Sequence, residues 1–265
     1  MSLKKYAKLL LLALLSGFLG FYGCRFVFHV ENITKACDQK ESLIEDQVVQ
    51  DVEMASDLVQ HSFDQLDRKI FCTPEERKLF FDQIGVHYCN EHIFEYAPIL
   101  DIDPKKSDKY LEGIAHNDQL SILYGDDIAT KKLMPMSIRW IDCQVGHGIF
   151  AEQDMLTGGF VGVYGGQVQD RLLVDSKDYA WAYPGETLEG GKITLDGAIK
   201  GNELRLINDG KDPNCVVEYI IGPDNIWHVC YLALKDIKKG EQLLISYGPA
   251  YWDTRSYKYQ EFAEA

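Results

Sequence analysis

The sequence predicts an α+β chain: an N-terminal hydrophobic anchor and a helical region, followed by a mostly β domain. Three observations predict it. An apolar run occupies the first thirty residues, apolar residues then recur at helical spacing, and from Met136 onward short runs rich in β-branched and aromatic residues alternate with glycine, proline and asparagine. At 265 residues with 46% hydrophobic content, the chain has room for one or two domains with a real core.

The segment 1–30 reads as a signal-anchor or transmembrane segment. Lys4, Lys5 and Lys8 precede an apolar run from Leu9 to Gly23, and Arg25 is followed by Phe26, Val27 and Phe28. Phe21-Tyr22-Gly23-Cys24 is a poor cleavage or lipidation site, which favours an uncleaved anchor, with the membrane as partner of residues 9–30. The basic flank predicts an N-terminus inside and a body outside the cytoplasm, so the protein is expected to be membrane-anchored or secreted.

Residues 31–135 read as a helical region. Leu43, Ile44, Val48, Val52, Ala55, Val59, Phe63, Leu66 and Ile70 predict one amphipathic helix over 40–72. Thr73-Pro74-Glu75-Glu76 then supplies an N-cap, a proline at the first helical position and a capping-box glutamate, for a helix ending near Gly85. His87, Cys89 and His92 match no standard metal spacing and read as packed or surface side chains, so no metal site is expected. From Tyr96 to Lys132, Pro98, Pro104 and Gly113 punctuate short helices.

The β half comprises runs at Ile138–Cys143, Gly159–Tyr164, Cys215–Ile221, Trp227–Leu234 and Gln242–Ser246, with Gly222-Pro223-Asp224-Asn225 as a hairpin turn. Within it, Gly201–Asn214 stands apart. Glu203, Arg205, Asn208 and Asp209 sit among Leu204, Leu206 and Ile207, so polar groups are forced toward a packed interior. Such a stretch is either a bulged strand end or a site wall. Gly146-His147-Gly148 lacks the following helix and third glycine of a dinucleotide loop, leaving a plain hairpin or a turn where backbone approaches a ligand.

Charge and cysteines narrow the function. A net charge of −14 argues against direct nucleic-acid binding and suits a basic partner such as a lysine-rich tail, though acidity also serves solubility. Seven scattered cysteines without Cys-x-x-Cys spacing indicate free thiols.

Taken together, four stretches resemble the SET-domain family of protein lysine methyltransferases. Val145–Ala151 looks like its opening glycine motif and Gly159–Gly166 like its second strand and turn. Asp196–Cys215 is similar to its Asp…Gly-Asn…Arg…Asn…Pro-Asn signature, and Leu234–Gly248 to its closing motif. Ile245-Ser-Tyr-Gly-Pro-Ala-Tyr-Trp is especially close to the end of a minimal viral SET domain. The resemblance covers 136–252, leaving 253–265 as a tail. It implies a SET-type (β-clip) fold with a knot-like C-terminal loop, S-adenosylmethionine as cofactor, and methyl transfer to an exposed lysine of a protein substrate. Carried over residue by residue, it implies that Gly146, His147, Gly148, Tyr179, Asn208, Asp209, Tyr247 and Trp252 hold the cofactor. Tyr247 and Tyr164 would be catalytic, and Tyr164, Tyr179 and Tyr251 would wall the lysine channel. Two departures stand out: Asp209-Gly210 replaces the usual His-Ser, and no cysteine cluster follows Trp252. Two other readings therefore stay open. One is a catalytically inactive SET-fold binding module, which Asp209 would favour. The other is a membrane-tethered scaffold, which would lose function on deletion of 31–135 but not on Tyr247→Phe.

Overall fold

The Thr73 hydroxyl accepts the N–H of Glu76 at 3.2 Å, and the Glu76 carboxylate accepts the N–H of Thr73 at 3.0 Å. With Pro74 at the first position, this reciprocal cap starts helix α1 (Pro74–Gln83) at the predicted residue. Gly85, at φ 71°, lets the chain turn back just after it. The computed structural model describes residues 69–174 and 178–253. The hydrophobic segment 1–30, the helix foreseen over 40–72 up to residue 68, and the tail from residue 254 lie outside them. No helix among the described residues is long and apolar enough to cross a membrane.

Residues 69–72 correct the end of that foreseen helix. They are not helical, and Phe71 bridges Ile138, each N–H donating to the other's carbonyl at 3.1 and 3.0 Å. The helical reading of 31–135 needs a second correction, because two strands lie in it. β1 (His87–Tyr88) and β2 (His92–Phe94) are so short that periodicity cannot reveal them. Their partners are remote: β1 pairs in parallel with β9 (Lys200–Gly201), and β2 with β6 (Gly166–Asp170). The short helices expected between Tyr96 and Lys132 do form, as α2 (Asp108–Leu111) and α3 (Ile114–Ala129) after two 3-10 turns. Leu120 and Ile128 of α3 are buried against Phe160, Val163, Ile220 and Leu232. Each such side chain contributes roughly 1.5–3 kcal/mol by leaving water.

The rest is a set of small sheets. β3 (Met136–Asp142) and β4 (Gly146–Ala151) form an antiparallel hairpin, its turn closed by Asp142 Oδ1 accepting the N–H groups of Gln144 and Val145. β11 (Cys215–Ile221), β12 (Trp227–Ala233) and β5 (Phe160–Val163) make a three-stranded antiparallel sheet, with the predicted hairpin at 222–225. A four-stranded sheet runs in the order β2, β6, β8 (Lys192–Asp196), β7 (Ala180–Glu186). Finally β10 (Asn208–Asp209) pairs in parallel with β13 (Leu244–Ile245), laying the closing motif beside the polar stretch.

Polar clamps tie these pieces together. Arg77 of α1 donates to Glu203 at 2.6 Å, their side chains 8% and 0% exposed, and also to the Met136 carbonyl at 2.9 Å. The Tyr88 hydroxyl adds a bond to Glu203 at 3.1 Å. On the other side of the molecule, His92 stacks on His228 with ring centroids 5.0 Å apart, and His228 Nε2 lies 3.0 Å from Asp224. Both ring nitrogens of His92 are buried. Burial first, then the neighbouring His228, drives the His92 pKa down to about 3 from 6.5. A depressed folded-state value means the unfolded chain takes the proton first as pH falls. Stability should therefore be complete above pH 6.5 and decline as pH drops toward 3, by up to about 1.4 kcal/mol per pH unit. Denaturant midpoints measured from pH 7 to 4.5 should show this slope, and it should shrink in His92→Phe; equal slopes would remove His92 as its source.

Candidate active site

β4 presents Gly146, His147 and Gly148 to the polar stretch. A Cβ on Gly148 would lie 2.6 Å from Ile141 Cδ1, 2.8 Å from Gln242 Nε2 and 3.0 Å from Asn208 Nδ2, so a larger residue would displace the tips of these three side chains. Gly146 has φ 81° and open space on its Cβ side. The His147 ring packs edge-on against Phe80 and Trp140, at 4.7 and 5.0 Å, and its carbonyl accepts Asn208 Nδ2 at 3.1 Å.

The stretch Gly201–Asn214 contributes Leu204, Arg205 and Ile207 to a cavity wall, and its buried polar groups find partners. Asn202, fully buried, donates to the carbonyl of Val163 at 2.7 Å and accepts from the N–H of Gly165 at 3.1 Å. Arg205 donates through Nε to the Gly197 carbonyl at 2.8 Å and lays its guanidinium 3.8 Å from the centre of the Tyr179 ring. Asn214 donates to the Gln242 carbonyl and accepts from the N–H of Leu244, both at 2.8 Å. Asp209 receives the backbone N–H of Tyr247 at 2.7 Å and the indole N–H of Trp252 at 3.1 Å. Tyr247 in turn donates its hydroxyl to the Ile207 carbonyl at 2.9 Å.

These contacts frame a cavity of about 470 Å³, ordinary for a small-molecule or side-chain site. Tyr164, Tyr179, Tyr247 and Tyr251, all nominated from sequence, line it together. Gly146, His147, Gly148, Asn208, Asp209 and Trp252 do not; they sit behind it, joined through Tyr247 and Ile207. Sequence reasoning missed Trp181, Tyr231 and Arg205 as lining residues. Trp181 carried a usable signal, since it follows Tyr179 at strand spacing. Tyr231 lies in a strand buried at every position, so no alternation marks it.

Two of the cavity's hydroxyls are engaged with the protein. The Tyr164 hydroxyl donates to the Tyr179 carbonyl at 2.7 Å, and the Tyr231 hydroxyl accepts Trp181 Nε1 at 3.1 Å. Burial pushes the phenols of Tyr164, Tyr231 and Tyr247 well above the ordinary tyrosine value. At neutral pH these three phenols are thus uncharged and give the cavity an aromatic face, while Arg171, Asp178, Glu186, Lys192 and Arg205 also line it. His87 is exposed, whereas His92 and Cys89 are packed inward, Cys89 donating to the Glu91 carbonyl; none of the three lines this cavity.

Comparison with known proteins agrees with the geometry. The SET domain family model matches residues 146–248. A histone-lysine N-methyltransferase EZH2 of Chaetomium thermophilum is 34% identical over 113 residues, 39% of this chain and 7% of that protein. Histone-lysine N-methyltransferase ASHH2 of Arabidopsis thaliana is 31% identical over 108 residues, 38% of this chain and 6% of the relative. ASHH3 of the same plant is 34% identical over 108 residues, 38% of this chain and 29% of its own length. The chain therefore spans under a third of the length of each of these relatives.

Proposed function

Given that residues 146–248 are a SET domain, we propose that the chain transfers a methyl group from S-adenosylmethionine to a lysine side chain of a protein substrate. The observation that carries this reading is the convergence of Tyr164, Tyr179, Tyr247 and Tyr251 on one cavity, backed by Asn208 and the glycines of β4. The residues fit the cofactor: the open side of Gly146 permits close approach, Asn208 fixes the carbonyl of His147, and Trp252 offers a flat ring held in place. When bound, S-adenosylmethionine supplies a methyl group activated on a sulfonium. The knot-like path of the closing segment belongs to the same reading.

The chain's own work is then alignment. Lysine, with an ordinary pKa near 10.4, enters the channel as an amine, because a buried aromatic wall disfavours the charged form. Held in line, its nitrogen would accept the methyl group that the cofactor supplies as a sulfonium, leaving the thioether, and the methylated ammonium would give its proton to water. The net charge of −14 favours basic substrates such as a lysine-rich tail. The inactive-module alternative leaned on Asp209 as a stray carboxylate beside the cofactor. That carboxylate is instead engaged by two N–H groups.

Calorimetric titration of S-adenosylmethionine into the full chain tests the reading. Micromolar binding is expected, and Asn208→Ala should weaken it by about 1–3 kcal/mol, the cost of stranding buried polar partners. Equal affinity in mutant and wild type would make the Asn208 loop a structural feature alone; no binding at millimolar cofactor would overturn the proposal.

A further inference from the structure

Residues 247–253 end in α4 (Pro249–Asp253), a helix of five residues. A helix this short has no stability of its own, since nucleation costs more than one turn of hydrogen bonds returns. Its burial is modest too. Tyr247, Gly248, Tyr251 and Trp252 are half-exposed, and Pro249 and Asp253 are exposed. Something else must hold this segment against the cavity, where Tyr247 and Tyr251 form part of the wall.

We infer that Asp209 is the latch, a positioning residue whose single carboxylate fixes both ends of the stretch 247–252. Oδ1 accepts the backbone N–H of Tyr247 at 2.7 Å and Oδ2 the indole N–H of Trp252 at 3.1 Å. The Tyr251 ring is thereby held between its two neighbours, 4.6 Å from that of Tyr247 and 5.1 Å from that of Trp252. The base of the latch is itself rigid. Asp209 pairs with Ile245 in the parallel ladder, and the next residue, Gly210, donates its N–H to the Ile245 carbonyl at 2.9 Å. Glycine at 210 eases this approach, because a Cβ there would stand 2.9–3.2 Å from the Leu244 side chain and push it aside.

The chemistry suits a carboxylate. Each of the two N–H donors meets its own oxygen. A neutral imidazole has one acceptor nitrogen, and an amide has one acceptor oxygen beside a donor group that would face the indole N–H. Asp209 therefore does two tasks at the position where the family resemblance leads one to expect histidine. The latch's consequence for turnover rests on the methyl-transfer reading; its geometry does not.

The test is nuclear magnetic resonance on the full chain without cofactor, so that failure of the latch and failure of the proposed activity are told apart. The chain has four tryptophans, so the indole N–H spectrum is simple, and Trp252→Phe assigns the relevant signal. Asp209→Asn, close to isosteric, should move the Trp252 indole signal and leave the other three in place. Asp209→Ala should in addition raise amide exchange at Tyr247 at least tenfold, and Asp209→Glu should restore part of the protection. Should Asp209→Ala misfold, Asp209→Asn still decides the matter. An unmoved Trp252 signal in a folded Asp209→Asn protein, or unchanged Tyr247 exchange in a folded Asp209→Ala protein, overturns the inference.

Discussion

Glu203→Gln should lower the stability of the described fold by about 3–5 kcal/mol, the cost of leaving a buried charge without its partner. The Glu203 side chain is fully buried, and it receives Arg77 Nε at 2.6 Å and the Tyr88 hydroxyl at 3.1 Å. Arg77 has no water to fall back on, being 8% exposed at the side chain. An amide in place of the carboxylate keeps the shape but removes the charge that offsets the guanidinium. Chemical unfolding measured by circular dichroism should show the loss as a lower midpoint. Joint replacement by Arg77→Met and Glu203→Leu should recover part of it, because a matched apolar pair leaves no orphaned charge. A single variant within about 0.5 kcal/mol of wild type would show that water or a shifted side chain compensates. The pair matters to function because it joins α1 to the turn that precedes Asn208, and so holds the cavity wall from behind.

Elements with their own local chemistry were legible in the sequence. The Thr73 cap needs only its neighbours, and it starts α1 where expected. Strand β11 was placed to the residue, and β12 to within one, because turn residues at 222–225 bound both runs. Strands β6, β7 and β8 went unassigned for an opposite reason. β7 contains Tyr183-Pro184-Gly185, with a register shift between Tyr183 and Glu186 and Gly185 at φ 125°, so its pattern is broken by a bulge. β1 and β2 depend wholly on partners more than seventy residues away, and two or three residues carry no period. The site divides along the same line. Tyr164, Tyr179, Tyr247 and Tyr251 are embedded in motifs, and the structure places them on one cavity. The rest of the aromatic wall, Trp181 against Tyr231, exists only through packing across strands, with ring centroids 6.2 Å apart.

Tyr247→Phe should cut methyl transfer at least tenfold while binding of S-adenosylmethionine survives. The hydroxyl is fixed by donation to the Ile207 carbonyl at 2.9 Å, which leaves its lone pairs as the acceptor available to the cavity. A phenol so placed orients the amine, and orientation is the main service an in-line transfer needs. It is not a base. Burial, followed by the nearby Tyr251, holds its pKa well above the usual tyrosine value, so it stays protonated throughout the range in which the enzyme would work. The pH dependence should accordingly come from the substrate. Rates of methylation of a lysine peptide should rise with pH between about 7 and 10 as the ammonium loses its proton. The wild type and Tyr247→Phe should give parallel profiles, the variant displaced downward. Loss of the pH slope in the variant would make Tyr247 the titrating group after all, and unchanged turnover would remove it from the chemistry. Tyr247 carries both the wall and, through its N–H, one arm of the Asp209 latch. Only its hydroxyl is removed by phenylalanine, so this substitution separates the positioning of the amine from the closure of the cavity.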